Sequence, residues 1–423
     1  MLIPEASAAA AELADERDPL ASFAAEFHHP AGPAGRRAVY LCGHSLGLQP
    51  RAAAQFVEQE LADWRELAVT GHHAARRPWI GYHEQLAEPL AGLLGADAAE
   101  VVAMNSLTVN LHLMMVSFFR PAAGRDCVLI EKSAFSSDRY AICSQLAFHG
   151  LNADRHLIEV APRPGEWCLR TADLTEAVAR AGPRLALVLL PAVQYLTGQC
   201  LELAPIVAAA RDSGAAVGLD LAHAVGNTEL RLHDWNVDFA VWCGYKYLNG
   251  GPGAVGGCFV HARHAARFDL PRFAGWWGHD KRTRFAMGPD FQPMSGAEGW
   301  QISNPPVLSA APLLASLELF RRADFRRLRA KSIALTDYLR SSIEALAPGL
   351  VEFITPRAAA ERGCQLSMRL PRAAARAAAS LTAAGVVGDW RQPDILRLTP
   401  VPSYNSYGEV FLAAQVLADA VRR

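Results

Sequence analysis

Lysine is scarce in this chain. Of its 41 basic residues only four are lysines: Lys132, Lys246, Lys281 and Lys331. Charge of one sign is also missing, since 42 acidic residues leave a net charge of −1. That balance gives no basic footprint for nucleic acid or for an anionic membrane surface. Long apolar runs are absent. The longest, LALVLLPAV from Leu185 to Val193, falls far short of the roughly 18 residues that span a bilayer, and its length suits a buried strand. The eight cysteines form no CxxC pair, which fits a reduced compartment. Cys127, Cys143, Cys243 and Cys258 lie in apolar runs and are expected as small core residues. The opening MLIPEASAAAAELADERD has no basic segment and carries acids early. It does not read as a signal peptide, so a cytoplasmic location is expected.

What is present is apolar material for a large core: 51% of 423 residues are hydrophobic. Such a length predicts more than one domain. From about residue 100, short and nearly all-apolar runs (VVAM, CVLIE, LALVLLP, AAVGLD, FAVWC) alternate with helical patterns such as DLTEAVARAG and LELAPIVAAARDSG. The alternation predicts an α/β fold whose mostly parallel sheet is covered on both faces. Ligands of such sheets gather at the carboxyl ends of the strands. GGCFVHA reads as a further strand. Residues 1–70 read as an N-terminal arm and a helix opened by Pro50, and 71–310 as the large domain. After SNPP, a helical hairpin leads into a smaller α+β domain over 311–423.

The stretch with most chemistry is DLAHAVGNTELRLHDWNVDFAVWCGYKYLNGGPG, Asp220 to Gly253. Lys246 follows a buried strand and precedes a glycine-rich loop. Desolvation there favours the neutral amine that attacks an aldehyde. Asp220 ends the neighbouring apolar run, with His223 three residues on. A carboxylate in that place can hold a pyridinium nitrogen protonated, so the pair suits pyridoxal phosphate. Taken alone, Asp220 could equally cap a helix over AHAVG.

Other segments are weaker alone. Thr108 lies in a Ser/Thr-rich turn that opens a helix after VVAM. Free N–H groups there can cradle a phosphate, or Asn105 or Ser106 simply caps the helix. Phe135–Asp138 (FSSD) follows CVLIE, where an aromatic can stack on a flat ring or Ser136 or Ser137 can start a helix. GWWGH (275–279) and GWQISNPP (299–306) combine Trp, His and Asn with helix breakers, as binding walls and plain corners both do. Arg397 ends an apolar run, where its fork can clamp a carboxylate.

Taken together, LCGHSLGLQP, RRPW, NSLTVNLHLMMVSFF, FSSDRYAI, SQLAFHG, DLAHAVGN, WCGYKYLNGGPG, GWWGHDKRTRF, ISNPP and RLTPVPSYNS resemble the kynureninase family, from about Tyr40 to near the C-terminus. The resemblance implies a type I pyridoxal-phosphate fold, like that of aspartate aminotransferase, and a homodimer with shared active sites. It implies hydrolysis of the Cβ–Cγ bond of L-kynurenine or its 3-hydroxy form to an anthranilate and L-alanine, a step in tryptophan catabolism and NAD biosynthesis. By resemblance, Lys246 carries the cofactor, Asp220 partners the ring nitrogen and His223 supports the ring. Leu107 and Thr108 contact the phosphate end, Phe135 stacks on the ring and Asp138 closes that loop. Tyr245 touches the phosphate and helps as an acid. Trp276 and Asn304 reach the cofactor across the dimer interface. Arg397 clamps the α-carboxylate, and Ser45, His72, His279 and Asn304 lie where substrate binds. Three positions depart from the family pattern. GNSLGL reads GHSLGL, with His44; the proline of the FPSD or FPTD loop is Ser136; and a GHE-type segment reads GHH at 71–73.

Two further readings stand beside this one. The first is another reaction on the same fold, such as desulfuration or transamination. A desulfurase needs a cysteine on a mobile loop, and Cys364, the late-chain candidate, sits in a strand-like setting. The second is a non-catalytic homologue, which is expected to have lost Lys246 or Asp220; both are present.

Overall fold

The computed structural model describes residues 5–423. Met1–Pro4, the start of the expected arm, lie outside them. A seven-stranded sheet forms the centre. In spatial order its strands are Val101–Ala103, Gly257–Val260, Phe239–Trp242, Ala216–Asp220, Leu185–Pro191, Cys127–Glu131 and Leu157–Val160. All neighbours run parallel except Gly257–Val260, which is antiparallel to both strands beside it. The expected α/β fold with a mostly parallel sheet is therefore present.

The strands are apolar throughout because both faces are covered. Leu129, Val188, Leu190 and Leu219 face one side, packed with Leu174, Ile206 and Leu313 from helices Thr171–Ala181, Leu203–Asp212 and Val307–Ala323. Their sequence neighbours Val128, Ile130, Leu187 and Leu189 face the other, against Leu111, Met115 and Ile142 of helices Leu107–Phe118 and Ser136–Phe148. Alternate side chains on opposite faces give each layer its own hydrophobic core.

The smaller unit is an antiparallel sheet in the order Asp389–Arg391, Ile395–Leu398, Leu366–Arg369, Glu352–Phe353. Its core joins Leu366, Met368 and Leu398 to Leu339 and Leu417 of helices Phe325–Leu346 and Tyr407–Arg422. The helical hairpin exists, with Asp324 at φ 63° between its arms. Its first arm packs into the large core as far as Ala323, so the expected boundary at 310 falls inside a helix of the large unit.

The arm is not free. Helix Ala8–Glu16 packs on the C-terminal helix, where Asp15 accepts the Tyr407 and Gly408 N–H groups at 2.6 and 2.9 Å. Two local expectations need correction. AHAVG is a series of turns, not a helix, because the chain must bend from Asp220 back under the sheet end. Cys143 is only half-buried, because it faces outward on its helix, while Cys127, Cys243 and Cys258 are core residues. Among the described residues no helix is long and apolar enough to cross a membrane.

Candidate active site

Three carboxylates gather beside the carboxyl ends of the parallel strands. Glu131 and Asp220 end their strands, and Asp138 lies in the first turn of the helix that follows Glu131. All three are buried. Asp220 Oδ1 accepts the Ala222 N–H at 2.7 Å, which fixes its side chain. Burial, then the Asp220 charge, holds the Asp138 carboxyl well above its usual range. Burial pushes Glu131 up to about 7, against a hydrogen bond from Gln194 at 3.3 Å. Lys246, four residues past the Phe239–Trp242 strand, is the cation that acts on Asp138.

The other lysines are engaged or outside. Lys331 pairs with Asp18 at 2.7 Å and Lys281 with Glu84 and Glu298 at 2.8 Å, while Lys132 is exposed. Lys246 is half-buried and, among the described residues, joins no ion pair. Its Nζ lies 5.8 Å from the centre of the Phe135 ring, which is 42% exposed. His223 is buried next to Lys246, with Nδ1 unpartnered. Burial, with Lys246 second, drives its pKa well down, so the ring is neutral. Tyr245 is half-buried and burial pushes its phenol up to about 12.

Leu107 and Thr108 open the helix Leu107–Phe118. The alternative of capping by Ser106 is not realised: its side chain makes no cap bond, and no acid occupies the first turn. Asn105 is engaged with Asn110 instead, at 3.0 Å. Thr108 Oγ1 and Ser137 Oγ meet at 2.9 Å, tying this helix start to the next one. Gly256 lies flush against it. A Cβ there would sit 2.6 Å from the Trp242 carbonyl oxygen and 3.4 Å from the Leu107 nitrogen.

These features fit pyridoxal phosphate. The uncapped helix start suits a phosphate. The buried acids suit a ring nitrogen that carries a proton. The exposed Phe135 face beside the lysine suits a flat ring, and the orphaned His223 Nδ1 and Asp138 Oδ1 are polar atoms left for a ligand.

Arg397 is buried within the small sheet. Its Nε donates to Asp389 Oδ2 at 2.7 Å, in an ion pair that also brings Nη2 within 2.7 Å of that oxygen, and Nη1 donates to the Tyr195 carbonyl at 2.7 Å. One side of the fork is thus closed on Asp389, which fixes the direction of the guanidinium plane. Asp389 and Glu131 were not expected from the sequence. Glu131 carried the same signal as Asp220, an acid closing an apolar run. Asp389 carried none, because it meets Arg397 only through the antiparallel register of their strands.

Two of the remaining candidates, His72 and Asn304, lie apart from this cluster. His72 and Asn304 line one pocket of about 180 Å³ together with Trp64 and Trp79, and no residue of the lysine cluster lines it. Trp276 is 41% exposed, its Nε1 donating to the Arg284 carbonyl at 3.1 Å. His279 uses both ring nitrogens inside its own loop, with Thr283 Oγ1 at 2.9 Å and the Gln292 N–H at 3.2 Å. Ser45 is exposed in the turn that carries His44.

The acid cluster has a consequence for stability. A raised folded-state pKa means that folded Glu131 keeps a proton the unfolded chain has lost. Stability of the cofactor-free protein should then fall as pH rises from the ordinary carboxylate range to about 7. The loss is on the order of 3 kcal/mol at most for this one group. Thermal midpoints across that window should show the decline, and Glu131→Gln should flatten it. A variant with the wild-type slope contradicts this role.

Residues 328–417 match the family described as kynureninase C-terminal domain. Over nearly the whole chain, curated relatives named kynureninase are similar. One from Koribacter versatilis (strain Ellin345) is 52% identical over 401 residues, 95% of each chain. One from Xanthomonas euvesicatoria pv. vesicatoria (strain 85-10) is 58% identical over 375 residues, 88% of each. Solved structures similar in fold include the cystine C–S lyase C-DES with cysteine persulfide (TM-score 0.75, 18% identity, 90% of this chain and 98% of that one). Another is the apo cysteine desulfurase of Thermococcus onnurineus NA1 (TM-score 0.72, 18% identity, 100% and 99%). The structural likeness establishes the type I fold, and the sequence identity establishes the family: the chain belongs to the kynureninases.

Proposed function

We propose that this chain hydrolyses the Cβ–Cγ bond of L-kynurenine or 3-hydroxy-L-kynurenine, releasing anthranilate or 3-hydroxyanthranilate and L-alanine. The observation that carries the reading is Lys246 facing the open Phe135 ring beside three buried carboxylates, in a chain 52% identical to a kynureninase over 95% of its length.

Pyridoxal phosphate supplies, when bound, an aldehyde for the substrate amine and a sink for electrons released next to it. The residues supply position and proton control. Leu107 and Thr108 would hold the phosphate at the uncapped helix start. Phe135 and His223 would flank the ring, and Asp220, backed by Asp138, would keep the ring nitrogen protonated. Lys246 would carry the cofactor and serve as the base for the proton at Cα. Tyr245 keeps its phenol proton at neutral pH, since burial pushes it up to about 12, and that proton serves the β-carbon as the bond to Cγ breaks. Arg397, held on one side by Asp389, presents its free N–H groups to the α-carboxylate. Ser45, His72, His279 and Asn304 contact the substrate.

A desulfurase reading is disfavoured by Cys364. It is fully buried and burial pushes its thiol up to about 12, so it supplies no mobile nucleophile.

The working assembly in this reading is a cytoplasmic homodimer. The outward-facing Trp276 and Asn304, and the His72–Asn304 pocket apart from the lysine cluster, support it, since a second copy would bring them to a shared site. Such an interface is large and isologous.

Two experiments follow. Purified holoenzyme should convert kynurenines to alanine and the matching anthranilate, with kcat/KM higher for the 3-hydroxy substrate by about tenfold or more. The preference rests on the resemblance of Ser303, Asn304 and His72 to family members that favour the 3-hydroxy substrate, and the pocket shared by His72 and Asn304 supports it, because a ring hydroxyl there would find partners that the plain ring leaves unpaired. Absence of cleavage ends the functional reading, and a higher value for plain kynurenine ends only the preference. Mixing Lys246→Ala with Asn304→Ala subunits should restore part of the activity, because one hybrid site keeps both residues. No recovery in verified heterodimers rules out sharing.

A further inference from the structure

The turn from Cys42 to Gly47 ties the lysine side of the site to the arginine side. The Thr399 N–H donates to the Leu41 carbonyl at 2.9 Å, and the Gly47 N–H donates to the Tyr245 carbonyl at 2.8 Å. The packing is tight enough that a Cβ at Gly47 would meet the Lys246 carbonyl at 2.4 Å. His44 sits in this turn, 1% exposed.

Its two nitrogens differ. Nδ1 lies 2.7 Å from Thr399 Oγ1, while Nε2 is buried without any partner. The charged groups acting on it are Arg397, Lys246 and Arg391, all cationic, and the His223 ring lies 6.3 Å away, centre to centre. Burial and these cations keep the imidazole neutral. A buried polar atom without a partner is costly unless a ligand completes it. An atom surrounded by cations, on the side of the site where Arg397 lies, is completed by an anion.

We infer that His44 is a second ligand of the substrate α-carboxylate, donating Nε2–H to a carboxylate oxygen beside the Arg397 fork. In this assignment the Thr399 hydroxyl, 2.7 Å from Nδ1, donates to it, and the ring proton sits on Nε2. The carboxylate is then held by the guanidinium from the small unit and by an imidazole on the turn that touches the lysine loop. One anion so bound fixes the distance between the two. The inference rests on the reading that this site takes an α-amino acid.

The test compares two ligands of the same shape that differ at the α-carboxyl group, L-alanine, whose carboxylate is an anion with two acceptor oxygens, and L-alaninamide, whose amide is neutral. Their dissociation constants are read from the visible spectrum of the holoenzyme. His44→Phe should weaken L-alanine by about tenfold or more while leaving L-alaninamide within about twofold. His44→Gln, which keeps an N–H donor, should recover part of the loss, and Thr399→Val should shift L-alanine in the same direction as His44→Phe. Equal effects on both ligands, or none, overturn the inference. If His44→Phe does not fold, the Thr399→Val comparison decides by the same criterion. Arg397→Lys separates the two levels. If it weakens L-alanine while His44→Phe does not, only the role of His44 fails. If neither variant matters, the placing of the carboxylate fails with it.

Discussion

The site depends on an imbalance of buried charge. Glu131, Asp138 and Asp220 are packed beside the strand ends, and Lys246 is the cation set against them. Two of these carboxyls stay above their usual range because water is excluded and because they face one another. Such a cluster opposes folding and invites a cation. The protonated ring nitrogen of the cofactor proposed here would be such a cation, with the Phe135 face and the uncapped start of Leu107–Phe118 close by to receive its ring and phosphate. The order of the strands produces the cluster. Cys127–Glu131 and Ala216–Asp220 lie on either side of the Leu185–Pro191 strand and run parallel to it, so their terminal acids lie at the same end of the sheet.

The arginine side is organised differently. Arg397 lies in a small antiparallel sheet and is aimed by Asp389 across the ladder. The turn at Cys42–Gly47 bridges this sheet and the lysine loop by backbone hydrogen bonds, so the spacing between amine and carboxylate recognition is set by main chain. That arrangement suits an enzyme whose selectivity comes from orientation, because the cofactor can promote several reactions and only geometry selects the bond that breaks.

Much of this was legible in the sequence, for local reasons. Six apolar runs announce six of the seven strands because each is covered on both faces, while the edge strand Leu157–Val160, half-exposed and carrying Glu159, gives no such run. Lys246 and Asp220 stand out as charged residues closing such runs. Thr108, Phe135 and Asp138 follow other strand ends and fall into the same place. What could not be read depends on register or on distant pairing. Asp389 finds Arg397 through a ladder, and Thr399 finds His44 across 355 residues. Which core the hairpin packs into, the large one for Ala310–Ala323 and Leu328, is likewise not written in its apolar pattern. Trp276 and His279 carry little local meaning because their polar atoms are engaged within their own loop, and Asn304 because it lines a pocket that no residue of the lysine cluster shares.

The central claim is that the one lysine facing the acid cluster is the lysine that holds the cofactor. Reduction of the holoenzyme with borohydride, followed by peptide mapping, tests it most directly. With four lysines in the chain the result is unambiguous. The account predicts the cofactor mass on the peptide carrying Lys246, and no label in Lys246→Ala. Cofactor fixed on Lys132, Lys281 or Lys331 contradicts it.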